Sequence, residues 1–437
     1  MQPTRRRFIH TAGSAAVLYK LAGPKPELKA AGPNDKIGMG FIGVGIRGSY
    51  HLDVFKKAPG VVPIMAADCY DGHLAWAKET TDGKIETTRD YHALLNRKDI
   101  DAVVISTPDH WHARMILDAL AAGKHVYVEK PMTYTIDEGK RICEAAKNSG
   151  KLVMVGSQNK TSALTAKARE VVKSGALGKI NMVRLATYRN SPEGAWVYPV
   201  PEDASPKTID WASWLGPAPK REFDATRVFR WRCWWEYSGG VATDLWVHEL
   251  TTMHEIMDVK APLSAVAQGG IFRFDDGRTC PDLLNGVYEY PGFILEITAN
   301  LGNSSRSTGA MIMGSEGTLT WGRGGVTVTH EPAASPVAWY GLNGWTKAAK
   351  EKYLASLGIA PGQRPQVPPT KPPQTHPVER GFEHWEYFLK SLREGTPSKE
   401  TAEEGHHAAG AAHLGNLAFR KKRRLRWDIA TNKVSEG

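Results

Sequence analysis

Apolar residues follow two rhythms along the chain. In the first third they form short continuous runs at 36–42, 61–67, 102–106, 125–128 and 152–156. Runs of this length without polar alternation suit strands buried on both faces. Helical spacing at 50–57, 76–80 and 113–122 falls between them, and the alternation predicts a doubly wound parallel sheet. From residue 180 the rhythm changes. Strand-like runs at 182–187, 265–274, 286–290, 293–299, 310–314 and 318–321, punctuated by glycine and asparagine, predict a mostly antiparallel sheet. The stretch 361–377 holds seven prolines and reads as a loop or arm. Helical patterns return at 378–393 and 402–419, before a closing strand at 425–428.

The length of 437 residues exceeds what one core usually supports, which agrees with two domains. Hydrophobic residues at 41% and charged residues at 23% describe an ordinary globular chain, and no apolar run is long enough to predict a membrane span. The formal charge of +10 invites a nucleic-acid reading. Half of it, however, comes from the first thirty residues, where six basic side chains face Glu27 alone. Much of the rest sits in 420–426 and reads as a solvated helix end, so no nucleic-acid partner is expected. Cys69, Cys143, Cys233 and Cys280 are widely spaced without a metal-ligand pattern, so they read as free thiols and no metal is expected. The segment Thr4-Arg5-Arg6-Arg7-Phe8-Ile9 resembles a twin-arginine export signal. This predicts a signal and linker over 1–33 and a periplasmic destination, with a cytoplasmic one as the alternative.

Chemistry enters at Gly43-Val44-Gly45-Ile46-Arg47-Gly48, which follows the first strand and opens a helix. Glycines there permit a tight turn and close backbone approach, and amides at the helix start receive a pyrophosphate. The second strand ends at Asp68, where a carboxylate can hold a ribose 2′-hydroxyl and repel a 2′-phosphate. NAD is therefore expected over NADP. Strand ends of such sheets line one crevice, which places Thr107, Pro108, His112, Glu129 and Lys130 beside the glycine loop.

In this order, G-x-G-x-x-G, Asp68, Thr107-Pro108-x-x-x-His112 and Glu129-Lys130-Pro131 resemble the Gfo/Idh/MocA family of oxidoreductases. The resemblance implies a Rossmann domain over 34–156 and, over 157–437, a substrate and oligomerisation domain on a large, mostly antiparallel open sheet. It implies that Lys130 sits beside nicotinamide and substrate, with Gln158 among the cofactor contacts. It also points to Asp244 and His248, whose i, i+4 spacing puts them on one helix face, with Asp244 orienting the imidazole. Lys130, Asp244 and His248 form the expected catalytic set, and the last two also touch substrate. Trp234 and Trp235 lie in a tryptophan-rich stretch and are read either as faces for a sugar ring or as core; His254 reads as structural.

The function expected is NAD-dependent oxidation of a hydroxyl on a sugar, glycoside or cyclitol, in a dimer or tetramer formed through the second sheet. Two alternatives remain. One is a glycoside hydrolase that uses tightly bound NAD transiently; the other is a noncatalytic nucleotide-binding sensor. An exported protein, far from free nucleotide, would hold its NAD tightly.

Overall fold

The computed structural model describes residues 36–437 except 306–309, 323–324, 361, 366 and 379–380. The expected signal over 1–33 lies outside the described residues. Six parallel strands, β1 (Ile37–Ile42), β2 (Val61–Ala67), β3 (Glu86–Thr88), β4 (Ala102–Ile105), β5 (His125–Glu129) and β6 (Val153–Gly156), stand in the order β3-β2-β1-β4-β5-β6. Helices α1 (Ile46–Phe55), α2 (Asp71–Thr80), α3 (Tyr91–Leu95), α4 (Asp109–Ala121) and α5 (Ile136–Ser149) lie among them. Strand order reverses between β1 and β4, which opens a crevice beyond their carboxyl ends. Both strands are buried throughout, because Leu52 and Phe55 cover one face of the sheet while Ile116, Leu120 and Ile142 cover the other.

The chain then passes through α6 (Ala163–Lys173) into a ten-stranded sheet. Its strands are β7 (Ile180–Tyr188), β8 (Ser264–Gly270), β9 (Leu283–Tyr290), β10 (Phe293–Asn300), β11 (Met311–Gly314), β12 (Gly317–Gly322), β13 (Gly325–His330), β14 (Gln374–His376), β15 (Leu425–Asp428) and β16 (Lys433–Glu436). The order is β14-β13-β12-β11-β7-β10-β9-β8-β15-β16. Every pairing is antiparallel except the central one of β7 with β10. The remaining helices are α7 (Trp211–Leu215), α8 (Ala225–Phe229), α9 (Val247–Met257), α10 (Lys347–Ser356), α11 (His384–Glu394) and α12 (Ala402–Lys421). On β9 and β10 burial alternates: Leu284, Tyr288, Leu295 and Ile297 turn into the core, while Val287 and Ile294 stay 38% and 41% exposed. One face of this sheet is thus open. Among the described residues no helix is long and apolar enough to cross a membrane.

Three expectations on boundaries change. The run at 265–274 leaves the sheet after Gly270, because the Asp282 carboxylate accepts the amides of Phe272, Arg273 and Phe274 at 2.8–2.9 Å and bends the chain. The proline-rich arm contributes β14, since Gln374-Thr375-His376 falls in a gap between prolines and can pair with β13. The helix expected from 378 begins at His384 as α11, and it returns Phe388 and Leu389 to the core of the first sheet. The basic segment after α12 is partly paired, with Arg423 on Glu436 and Arg424 on Glu289.

Candidate active site

The crevice begins where β1 runs into the glycine loop. Gly43 has a φ of +81°, a left-handed conformation that favours glycine. Gly48 lies so close to it that a Cβ would sit 1.9 Å from the Gly43 carbonyl oxygen. Gly45 precedes the first turn of α1, which holds no acidic residue, and Ile46 stands exposed at its mouth. Unpaired amides at such an end favour an anion. A cavity of about 930 Å³ extends from Gly43, Gly45 and Asp68 past Thr107 and Pro108 to Trp231. Cradle and cavity together fit a dinucleotide.

Asp68 sits at the expected strand end but already has partners. Its carboxylate accepts the Val44 amide at 2.8 Å, the Tyr70 amide at 3.0 Å and His73 Nδ1 at 3.1 Å. Burial works against its charge, yet His73 and these amides outweigh burial and hold the carboxyl below its ordinary value. Asp68 is therefore ionised at the cavity wall.

Four expected cofactor contacts are corrected. Glu129 faces the interior, where its Oε1 accepts Arg47 Nε at 2.7 Å, His51 Nε2 at 2.6 Å and Gln158 Nε2 at 3.2 Å. Burial opposes its ionisation, but Arg47 and His51 hold its pKa well below the usual carboxylate value. Arg47 and Gln158 are thus turned inward, and with Glu129 they brace the loop from behind. His112 is 1% exposed, its ring nitrogens 2.6 Å from the Pro131 carbonyl oxygen and 2.8 Å from that of Thr107. It ties two strand-end loops together and has no surface left for a ligand.

Next to Trp231, outside the lining of that cavity, stands a cluster of paired charges. Arg232 stacks on the Trp231 ring at 4.1 Å and donates through Nε to Asp244 Oδ1 at 2.8 Å. Lys130 Nζ donates to the same oxygen at 2.9 Å and to the Asp244 carbonyl at 2.8 Å. Burial would raise the Asp244 pKa, but the two cations hold the carboxyl far below its ordinary range. Here the expected geometry is corrected. Asp244 lies in a π-helical turn, Ala242–Trp246, that leads into α9, and it is occupied by Lys130 and Arg232. Among the described residues none hydrogen-bonds the His248 ring, so Asp244 does not orient it. His248 nevertheless feels both charges: burial first and Lys130 second depress its pKa, to about 3, while Asp244 acts in the opposite sense. The ring is neutral at ordinary pH.

From sequence, Arg232 is only one of two arginines in a tryptophan-rich stretch that could bind hydroxyls or carboxylates, and Asp109 is not singled out. The Asp109 carboxyl is buried against the Gly239 amide and the Thr243 hydroxyl, each at 3.3 Å. Burial lifts its pKa to about 7, with Arg232 opposing and Asp244 adding to the rise.

The tryptophans divide. Trp234 is 5% exposed and donates its indole N–H to the Gly277 carbonyl at 3.1 Å, which makes it core and corrects the substrate reading. Trp235 is half-buried, with its ring under Arg420 at 5.2 Å and its carbonyl accepting the Tyr134 hydroxyl. One face of that ring lies against Arg420, and of the three tryptophans Trp231 is the one that lines the cavity. His254 lies 2.7 Å from the Tyr290 hydroxyl in a structural role, and the four cysteines are free thiols.

Residues 37–157 match the Gfo/Idh/MocA oxidoreductase family's NAD-binding Rossmann fold, and residues 162–267 match its C-terminal alpha/beta domain. An NAD-binding protein from Listeria innocua shares the fold with a TM-score of 0.64 at 19% identity, covering 90% of this chain and 97% of that one. Levoglucosan dehydrogenase, solved with NADH and levoglucosan, does so with a TM-score of 0.60 at 19% identity, over 90% and 99%. A glycosyl hydrolase family 109 protein of Shewanella pealeana is 36% identical over 36% of this chain and 39% of its own. An alpha-N-acetylgalactosaminidase of Shewanella oneidensis is 34% identical over 33% of each. The chain thus spans well under half the length of these curated relatives. Both halves match one family and the fold is shared along nearly the whole chain, so this protein belongs to the Gfo/Idh/MocA oxidoreductases and has their NAD-binding Rossmann domain.

Proposed function

We propose that the chain oxidises a hydroxyl of a sugar, glycoside or cyclitol, with NAD rather than NADP as its cofactor. The observation that carries this is the clamped Lys130 beside a neutral His248 at the charged end of the crevice. A lysine ammonium has three N–H donors. Asp244 takes two of them, which leaves one for a substrate oxygen. His248, kept unprotonated by burial and by Lys130, receives the proton of the same hydroxyl. A bound nicotinamide would supply hydride acceptance. Base catalysis of this kind contributes roughly two to four powers of ten in rate. The ionised Asp68 disfavours a 2′-phosphate. Levoglucosan, the ligand of one structural neighbour, supports the carbohydrate class.

The test is appearance of reduced cofactor, followed by absorbance, when purified protein and NAD meet a panel of sugars, glycosides and inositols. No reduction with any of them, under conditions where NAD binds, overturns the assignment. A second reading is hydrolysis of a glycoside through transient oxidation, favoured by the names of the curated relatives. In that case free sugar accumulates without net reduced cofactor.

Export and assembly complete the proposal. The arginine pair near the N-terminus supports a periplasmic destination and a resident nucleotide, which mass spectrometry of the denatured protein would release and identify. The open sheet face, where Val266 and Val287 pair across strands and Ile294 stands exposed, supports a homo-oligomer.

A further inference from the structure

The ribose end of the cavity holds a charge that pH can change. Asp68 accepts the Val44 amide and His73 Nδ1 on Oδ2, and the Tyr70 amide on Oδ1. A carboxylate has about four acceptor sites, so one is left for a ribose hydroxyl. His73 reaches over the glycine loop from α2: a Cβ on Gly45 would lie 3.1 Å from its Cε1. Gly45, Asp68 and His73 all line the cavity. The ring rests edge-on against Tyr70, with centroids 4.9 Å apart, and against Phe229 of α8 at 6.0 Å. Its Nδ1 is spent on Asp68, whereas Nε2 meets no partner among the described residues, and the side chain is 29% exposed.

Other charges along this wall are fixed. Arg89, directly after β3, grips Asp71 with two bonds of 2.8 and 2.6 Å and also donates to the Lys207 carbonyl. The Tyr70 hydroxyl donates to Asp203 at 2.5 Å; burial and that carboxylate raise its pKa, so it stays neutral. Asp90 and Asp210 cap α3 and α7. Of the other histidines in the lining, His92 lies on the Tyr91 ring at 4.1 Å and His110 Nε2 is 3.2 Å from the Trp214 carbonyl oxygen. His73 differs. Burial works against a proton on its ring, but the Asp68 charge and hydrogen bond outweigh burial and lift its pKa above the ordinary histidine value. With that proton the Asp68–His73 pair has no net charge; without it the pair is a monoanion.

We propose that His73 sets the choice between NAD and NADP: as an imidazolium it cancels the Asp68 charge and offers Nε2–H to a 2′-phosphate, and as a neutral ring it leaves a corner that takes NAD alone. This rests on the nucleotide reading above and makes its preference for NAD a function of pH, weakest in acid and strongest in alkali. A phosphate monoester accepts strongly from a cationic donor, and an unanswered carboxylate repels it.

The test is competition. The full chain is equilibrated with equal NAD and NADP at pH 6 and at pH 8.5, and the nucleotides released on denaturation are counted by mass spectrometry. Bound NAD over NADP should rise about tenfold or more between the two, the effect of one unit charge at a partly exposed contact. His73→Gln should lose most of that rise, and His73→Lys, which keeps a charge, should hold the ratio low at both. The phosphate's own second proton, lost near pH 6, acts alike in all three proteins. Thermal unfolding reports whether each variant is folded. The native chain supplies a second measurement: displacement of NAD by NADP at pH 8 should take up protons, read by calorimetry in two buffers of different ionisation heat. A ratio that does not move with pH overturns the proposal, as does a rise that survives His73→Gln or a displacement that takes up no proton. Failure of the two readings is separable. Nucleotides are counted without turnover, so a chain that oxidises no sugar still tests His73. A preference for NAD that ignores pH removes the role of His73 and leaves NAD as cofactor, whereas a chain that retains neither nucleotide loses both.

Discussion

The two ends of the crevice are made of different material. The nucleotide end is backbone: a left-handed Gly43, amides at the start of α1, and a contact at Gly48 too tight for any side chain. The other end is a set of side chains from distant segments, in which Lys130 and Arg232 share one oxygen of Asp244 while His248 and Asp109 stand in their field. Steric constraints answer to volume and hardly to pH. Charge balances answer to both, so the ends should fail in different ways when altered.

The largest effect is expected at the charged end. His248→Ala should lower kcat by roughly 10²–10⁴-fold with NAD affinity retained, measured by steady-state kinetics and cofactor titration. Asp244→Ala leaves two largely buried cations unanswered. It should cost about 3–5 kcal/mol in denaturant unfolding, far more than an exposed ion pair would. At the nucleotide end, Gly48→Ala forces a Cβ against the Gly43 carbonyl, for which overpacking costs about 1–3 kcal/mol. NAD affinity should fall about 10–100-fold, by the same factor at pH 6 and pH 9. A strong pH dependence of that loss would blur the comparison.

Titration sharpens the contrast. Because His248 titrates at about 3, kcat/KM should show no acid limb near the ordinary histidine value, and any inflection near pH 7 should vanish in Asp109→Asn. The smallest effect is on stability. The folded pKa of Asp109, about 7, lies above its ordinary 3.8, so the folded state holds the proton more tightly. That contribution is complete below the ordinary value and is lost as pH rises toward 7. Asp109→Asn should accordingly raise stability by about 2 kcal/mol at pH 8 and change it little at pH 4, as read by thermal unfolding.

The two ends also differed in how far the sequence disclosed them. The apolar runs of β1, β2, β4, β5 and β6 are readable because both faces of that sheet are covered, while β3, with Glu86-Thr87-Thr88, has no apolar residue to betray it. Lys130, Asp244 and His248 could be named from the order of motifs, but their partnership could not. Arg232 and Asp109 join Asp244 only once a loop and a helix start from other parts of the chain are folded beside it. One correction was available earlier: neighbouring residues on a strand point to opposite faces. Glu129 and Lys130 could not both face the crevice, and the strand end assigns Glu129 to the interior. The choice between Trp231 and Trp234 carried no such signal, since it depends on where a short 3-10 turn, Trp231–Cys233, sets each ring.

The π-helical turn at Ala242–Trp246 has a consequence for how this site can be lost or changed. Turns of this kind hold one residue more than an α-helical turn would. Here the widening lets a single residue offer Lys130 both its carbonyl and its carboxylate. The grip is therefore written in chain length as well as in residue identity. Deleting Leu245 or Trp246 would keep every charged group and still rotate Asp244 by about 100° relative to α9, taking the lysine's anchor away. Comparison of related chains by residue type alone would miss that event; spacing across this turn would reveal it.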